Sequence, residues 1–524
     1  MTSVVVVGSG AAGLTAAVAA AEVGAAVTVL ERASVLGGTT ALSGGLAWLP
    51  ANGWMAAEGV DDSPAEARRY LSALRLGDVD DEALDHFVDE APAVAAWMEA
   101  ATPLRWQTVP YPDYHPELPG ARGGHRPLEP RPRPVPPELG RRIRTAPNVT
   151  APITYRELAS GVFDRREVAE RTENGVLTMG RSMIASLVEA AEDAGVTIRA
   201  GCGVDGLVRS GQSVTGVRVG DQAISGRVIL ASGGFERDPG LARTFLRGPM
   251  TGPVGAPGAD GTALRLGMAV GAELGNMAEA WWCPALTVPD ETIDDEAFHR
   301  LVLTERARPR SLMVDVRGRR FVNEARNYND VGRAMHAFDP TGFRFLAATA
   351  WLVFDAGYRD AYHLGPLRRG HPDPPWVLRS DTLAGLADSM GVDAAELTAT
   401  VARFNEMARA GDDPDFGRGR SRYDRFVGDP GAPHPTLGPV DRPPFFAVRL
   451  HPGCLGTKGG PRTDRHGRVR HGDGGVIEGL YAAGNAAASP LGAAYPGAGG
   501  TIGPILVAAH AAGRAAGRAA GTGS

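Results

Sequence analysis

Val4-Val5-Val6-Val7-Gly8-Ser9-Gly10-Ala11-Ala12-Gly13 lies at the start of the chain and decides how the rest is read. A β-branched apolar run stops at Gly8, Gly10 and Gly13 follow, and an Ala-rich stretch continues from Leu14 to Val23. That is strand, tight turn and helix. A second β-like run, Val27 to Leu30, ends in Glu31, eighteen residues beyond Gly13. The order is a dinucleotide-binding fingerprint in its required context. Gly8 permits the turn, Gly10 lets a pyrophosphate approach the backbone, Gly13 lets helix and strand pack closely, and the helix N-terminus faces the phosphate charge. Glu31 is placed to bind ribose hydroxyls. No basic segment precedes this stretch, and glycines and Glu22 interrupt it, so neither a signal peptide nor a membrane span is expected.

Outward from the fingerprint, Gly37-Gly38-Thr39-Thr40 and Ser43-Gly44-Gly45 form a second backbone-and-hydroxyl cradle. The fingerprint alone does not separate NAD from FAD; two cradles suit the longer cofactor, FAD. Val228 to Ala231 with Gly233-Gly234, and Leu480 to Gly484-Asn485, read as buried strands that return to the same sheet. No second GxGxxG stands between a strand-like run and a helix, since Gly201 to Gly206 has the spacing but leads into another strand-like run, so reduced nicotinamide is not the expected electron partner. The expected FAD contacts are Gly8, Gly10, Ala12, Gly13, Glu31, Gly37, Gly38, Thr39, Thr40, Ser43, Gly44, Gly45, Val204, Ala231, Gly233, Gly484 and Asn485. Asp260, in Gly258-Ala259-Asp260-Gly261, is added as an acidic contact, and Gly499 and Ile502 as the opening of the last helix.

The 524 residues carry 54 Lys+Arg against 60 Asp+Glu, a net charge of −6, with 43% apolar residues. There is no basic field of the kind that neutralises phosphates, which excludes nucleic acid as an expected partner. Cys202, Cys283 and Cys454 are odd in number and form no CxxC pair, so neither disulfides nor a zinc site are indicated and a cytoplasmic protein is expected. The histidines show no metal-ligand spacing; no metal is assigned. Asp424 and Arg425 read as a solvated charged loop.

The predicted architecture is α/β: a Rossmann-type FAD-binding domain from 1–276 and 439–524, with an inserted α+β catalytic domain at 277–438. Helices are expected over 181–194, 383–390 and 394–409, and strands over 197–200, 203–209, 214–219 and 311–316. Tyr111 to Pro137, crowded with Pro, Gly, Arg and His, reads as a long irregular excursion with a functional role.

Several segments are far more specific than GxGxxG: Tyr111-Pro112-Asp113-Tyr114-His115-Pro116-Glu117, Ala280-Trp281-Trp282, Gly318-Arg319-Arg320-Phe321-Val322-Asn323-Glu324, Leu455-Gly456-Thr457-Lys458-Gly459-Gly460, and Tyr495-Pro496-Gly497-Ala498-Gly499-Gly500-Thr501-Ile502-Gly503. With them, nearly the whole chain resembles the 3-ketosteroid Δ1-dehydrogenases, within the flavoprotein class that includes fumarate reductase and succinate dehydrogenase. The resemblance implies noncovalently bound FAD and an enzyme that removes two hydrogens from adjacent carbons of a ring ketone. It also implies an apolar, steroid-like ketone as substrate and an unidentified, quinone-like electron acceptor. A hydrogen α to a ketone is acidic only where the developing enolate oxygen is stabilised. The resemblance gives that task to the Tyr495 hydroxyl and the Gly499 N–H, makes Tyr328 the base that takes the proton, and makes Tyr114 its helper, with Tyr111 as the alternative. A tyrosine whose reference pKa is about 10 needs a neighbour to act as a base. Trp281, Trp282 and Phe298 suit either an apolar wall for a flat substrate or ordinary core.

Other readings keep the cofactor. A 3-ketosteroid 4(5α)-dehydrogenase or another cyclic-ketone dehydrogenase would share the tyrosine set; Ala493-Ala494 and the Arg126 to Pro137 stretch are where this chain departs from the steroid pattern. A fumarate reductase-like enzyme would want cations to clamp two carboxylates, and Gly456-Thr457-Lys458-Gly459-Gly460 lacks the His of that class. A flavin-binding redox partner without catalysis would have no use for the three tyrosines.

Overall fold

The computed structural model describes residues 3–148 and 151–519. The valine run forms the strand Ser3–Val7, whose side chains from Val4 onward are buried on both faces, as a central parallel strand requires. It pairs in parallel with Ala26–Leu30 on one side and Arg227–Leu230 on the other. Thr197–Arg199 and Val476–Ala482 extend the sheet outward, and Arg468–Arg470 closes one edge antiparallel, six strands in all. The C-terminal strand thus lies beside the N-terminal half, which brings Gly484-Asn485 next to the first glycine turn. The expected helix begins at Ala11 rather than Leu14 and ends at Glu22.

The helix Ile502–Ala519 lies along Ala11–Glu22. The contact is made by small residues: a Cβ on Gly513 would stand 2.2 Å from the Ala16 carbonyl oxygen.

A second sheet, largely antiparallel, has Phe445–Thr457 in its centre, between Ala280–Ile293 and Ala350–Asp355, with Glu296–Leu301 and Ser311–Val314 outside. It includes residues beyond 438, where the sequence reading returns the chain to the first domain. A long strand that pairs on both sides is needed there, and alternation alone does not show which sheet it joins. Leu386, Leu397, Val401 and Phe404, on the helices Leu383–Met390 and Ala394–Ala410, cover one face of this sheet.

Two expectations are corrected. The stretch from Tyr111 to Pro137 carries a strand, Pro127–Pro130, which pairs with Trp106–Thr108 and Ala47–Trp48 despite its prolines. Asp424 is fully buried, accepting from Asn323 Nδ2 at 2.9 Å and the Gly419 N–H at 3.0 Å, while Arg425 is exposed. Among the described residues no helix is long and apolar enough to cross a membrane, and no group of three His, Cys, Asp or Glu could hold a metal.

Gly513→Val would overpack the helix contact, at a cost of about 1–3 kcal/mol or more. A lower thermal unfolding midpoint is expected, read by circular dichroism.

Candidate active site

A cavity of about 330 Å³ opens at the end of the parallel sheet. Gly8, Gly10, Ala12, Glu31, Gly38, Thr39, Thr40, Val204, Ala231, Gly233, Gly484 and Asn485 line it. Gly8 sits at φ +108°, and a Cβ there would meet the Ala231 carbonyl oxygen at 2.5 Å, so no other residue fits. Glu31 is held at the strand end by the N–H groups of Ser9 (3.0 Å) and Ala33 (2.9 Å) and by the Ser9 hydroxyl (2.6 Å). The second cradle is sewn to the first, since the Gly37 N–H donates to Ser9 Oγ and the Ala11 N–H to Thr40 Oγ1.

The remaining expected contacts stand behind this wall. Gly13 packs on Gly8, and Gly45 against Gly180. Ser43 caps its own loop by donating to the Thr40 carbonyl, and Gly44 accommodates the Tyr155 ring. Asp260 does not line the cavity; it pairs with Arg32 at 2.7 Å and accepts from Thr262. Ile502 is replaced on the wall by Ile505, one turn later.

Among the lining groups not foreseen are three polar ones. Arg144 Nε and Ser232 Oγ are buried without a hydrogen-bond partner, and Glu236, pushed up to about 7 by burial, has only backbone donors. Buried polar atoms without partners are uncommon in a finished interior. An anionic, hydroxyl-rich cofactor such as FAD fits that donor set.

A smaller cavity of about 70 Å³ shares Gly484, Asn485 and Ile505 with the first and reaches Trp281 and Thr501. Beyond it lies a cluster of buried tyrosines. The hydroxyls of Tyr328 and Tyr495 are 2.9 Å apart, and Thr501 Oγ1 is 3.0 Å from Tyr495 Oη. Accepting from both neighbours, Tyr495 keeps its own proton for a third partner. The Tyr114 ring stands edge-on to Tyr328 and Tyr495, at 5.7 and 5.3 Å between centroids. Tyr111 meets Tyr114, Tyr423 and Phe426 instead, so of the two alternatives it is Tyr114 that neighbours Tyr328. Burial pushes Tyr328 well above the ordinary tyrosine range, its neighbour Tyr495 adds to the rise, and Tyr114 pulls the other way. Burial likewise raises Tyr114 and Tyr495.

Each element has a visible anchor. Tyr328 opens the helix Tyr328–Ala334, capped by Asn327, four residues after buried Glu324, which is paired with Arg320 (2.8 Å) and Arg418 (3.1 Å). Tyr114 is fixed by its N–H to the Pro496 carbonyl (2.9 Å), and its neighbour Asp113 accepts from Trp48 Nε1 and from fully buried Arg126, which also pairs with Asp62. Gly499 has φ +86°, and its Cβ would stand 2.6 Å from the Leu46 carbonyl. Among the described residues no acceptor takes the Gly499 N–H, while its carbonyl accepts from Trp48 and Gly503. Of the aromatic wall, Trp281 packs on Tyr495 at 4.8 Å. Trp282 belongs to a separate cluster with Phe235, and Phe298 to one with Ala146 and Ile293.

The family described as FAD binding domain matches residues 3–502. The chain is 39% identical to the 3-oxosteroid 1-dehydrogenase of Mycobacterium tuberculosis (strain ATCC 25618 / H37Rv), over 96% of both chains. It is 38% identical to the 4-oxocyclohexanecarboxylate 2-dehydrogenase of Sinomonas cyclohexanicum, over 98% of this chain and 92% of that one. The solved 3-ketosteroid Δ1-dehydrogenase of Sterolibacterium denitrificans, in complex with 1,4-androstadiene-3,17-dione, superposes with a TM-score of 0.91 at 33% identity over 99% of each chain.

Arg126→Met would leave Asp113 buried without its cation and Asp62 with only Arg122 at 3.5 Å, at a cost of about 3–5 kcal/mol. A chemical denaturation midpoint shifted to lower urea is the expected result.

Proposed function

The chain belongs to the FAD-binding family of the 3-ketosteroid dehydrogenases, an FAD-dependent oxidoreductase of the ketosteroid and cyclic-ketone class, and from that premise we propose that it is a 3-oxosteroid 1-dehydrogenase. The observation that carries the reading is the meeting at 2.9 Å of Tyr328 with Tyr495, which shares its turn with Gly499, whose N–H no acceptor among the described residues takes.

A ring ketone whose oxygen lies between the Tyr495 hydroxyl and the Gly499 N–H receives two hydrogen bonds that strengthen as the oxygen becomes an enolate. Such donors act in a water-excluded site, where they contribute most. Tyr328 takes the proton from the α carbon. Its hydroxyl must be ionised to do so, and Tyr114, edge-on beside it, favours that form. Bound FAD supplies the acceptor for the hydride that leaves the adjacent carbon. Gly8 to Gly13, Glu31, the second cradle and Arg144 would hold it, without a covalent bond to the chain. Trp281 and the buried tyrosines exclude water from the ring. The electron acceptor that reoxidises the enzyme is taken to be quinone-like, in the absence of a second nucleotide fold.

A second reading is a smaller cyclic ketone. The identity of 38% to a 4-oxocyclohexanecarboxylate 2-dehydrogenase, against 39% to a 3-oxosteroid 1-dehydrogenase, favours it, because the enolate machinery is the same for both substrates. The two readings separate on anaerobic mixing of the yellow protein with 4-androstene-3,17-dione or with 4-oxocyclohexanecarboxylate. The steroid is expected to bleach the oxidised flavin and give the 1,4-diene. Bleaching by the carboxylate alone would replace the steroid reading, and bleaching by neither would reject both.

Because burial raises Tyr328 well above 10, its ionised fraction grows about tenfold per pH unit throughout the range below that value. The rate of flavin reduction is therefore expected to rise with pH through 8 to 10. A neutral bell-shaped profile would point to a carboxylate or histidine base instead.

A further inference from the structure

Lys458 directly follows the strand Phe445–Thr457 and is fully buried. Its Nζ donates to the carbonyls of Ala494 at 2.7 Å and Gly492 at 3.1 Å, and stands 4.1 Å over the Trp281 ring. Both carbonyls belong to the strap that leads into Tyr495, and Trp281 packs on the Tyr495 ring. Three contacts thus converge from one ammonium on the residue that receives the ketone oxygen.

Burying an ammonium is costly unless an opposite charge compensates it. Among the described residues no carboxylate bonds to Lys458. Of the acids whose fields reach it, Glu279 is occupied by Arg333 at 2.6 Å, Trp282 at 3.1 Å and Arg247 at 3.4 Å. Asp330 is occupied by His115 at 3.2 Å and Asn327 at 2.8 Å. Two carbonyl dipoles and a π face hold the ammonium without neutralising it. A methionine would fill the same volume at lower cost, so a charge kept at this position points to an electrostatic use.

We propose that Lys458 is a positioning residue of the ketone reaction, fixing the Tyr495 strap through two carbonyls and supplying the positive field that favours an enolate oxygen there. The proposal rests on the ring-ketone reading of the site. Burial draws the ammonium down to about 7, with Arg333 acting in the same direction and Glu279 and Asp330 against it, so the charge is nearly complete at pH 6.

The test compares two ligands at pH 6 on the FAD-loaded enzyme: estradiol, whose phenol resembles an enol, and the neutral ketone 1,4-androstadiene-3,17-dione. In Lys458→Met the preference for the phenol over the ketone is expected to fall at least tenfold, and Lys458→Arg is expected to keep it within threefold. Should the methionine protein fail to fold, Lys458→Gln, which retains a donor for the strap, is expected to show the same loss. Equal weakening of both ligands in the neutral variants, or an unchanged preference, would overturn the proposal while leaving the ketone reading intact. Failure of the wild type to bind either ligand would overturn both.

Discussion

The buried guanidinium of Arg126 is the contact on which the tyrosine cluster depends. It joins Asp62 and Asp113 in a site closed to water, and Asp113 in turn accepts from Trp48 Nε1. Trp48 donates its own N–H to the Gly499 carbonyl, and Tyr114, next to Asp113, donates its N–H to the Pro496 carbonyl. One charged knot therefore sets the distance between the loop that carries Tyr114 and the turn that carries Tyr495 and Gly499. A buried ion pair adds little stability over an apolar substitute, but it accepts only a narrow geometry. On the far side, Glu324 with Arg320 and Arg418 does the same for Tyr328.

The enclosure sets the chemistry as well as the geometry. Removing water raises every phenol in the cluster, which leaves Tyr328 almost wholly protonated at rest. The same removal strengthens each hydrogen bond offered to a developing enolate. The two effects oppose one another, and a site of this kind works only where the second exceeds the first. Gly499 can sit there only because it lacks a side chain: Leu46 approaches to where a Cβ would stand, and among the described residues no acceptor takes the amide. The chain has bare backbone where a ligand must come close and buried charge where an element must be held still.

Much of this was legible in the sequence. The valine run, the spaced glycines and Glu31 are local signals, and the parallel sheet and first cradle follow from them by period and turn chemistry. The tyrosines were legible only through resemblance, since each alone reads as packed core. What could not be read depends on long-range placement. Arg126 lies in a Pro- and Arg-rich stretch that reads as an irregular excursion, yet it is fully buried in an ion pair. Asp424 sits among charges that read as solvated, yet it is closed in by Asn323 and Gly419. Arg144 and Ser232 carry no motif; their buried, unpartnered atoms are visible only once the cavity wall is assembled. Asp260 has the acidic character expected of a cofactor contact, but Arg32 takes its carboxylate. Pairing of this kind is decided by which surfaces meet, and no local pattern records it.

The central claim is that Tyr328 removes the α proton while Tyr495 and Gly499 hold the oxygen. Anaerobic reduction of Tyr328→Phe by the ketone, followed in a single turnover, tests it most directly. The substitution deletes one hydroxyl and keeps the ring that packs on Tyr114, so FAD content and the flavin spectrum are expected to match the wild type. The account predicts a fall of at least ~100-fold in the rate of flavin reduction, the scale on which a positioned base acts. A rate within a few-fold of wild type, with FAD fully bound, would contradict it.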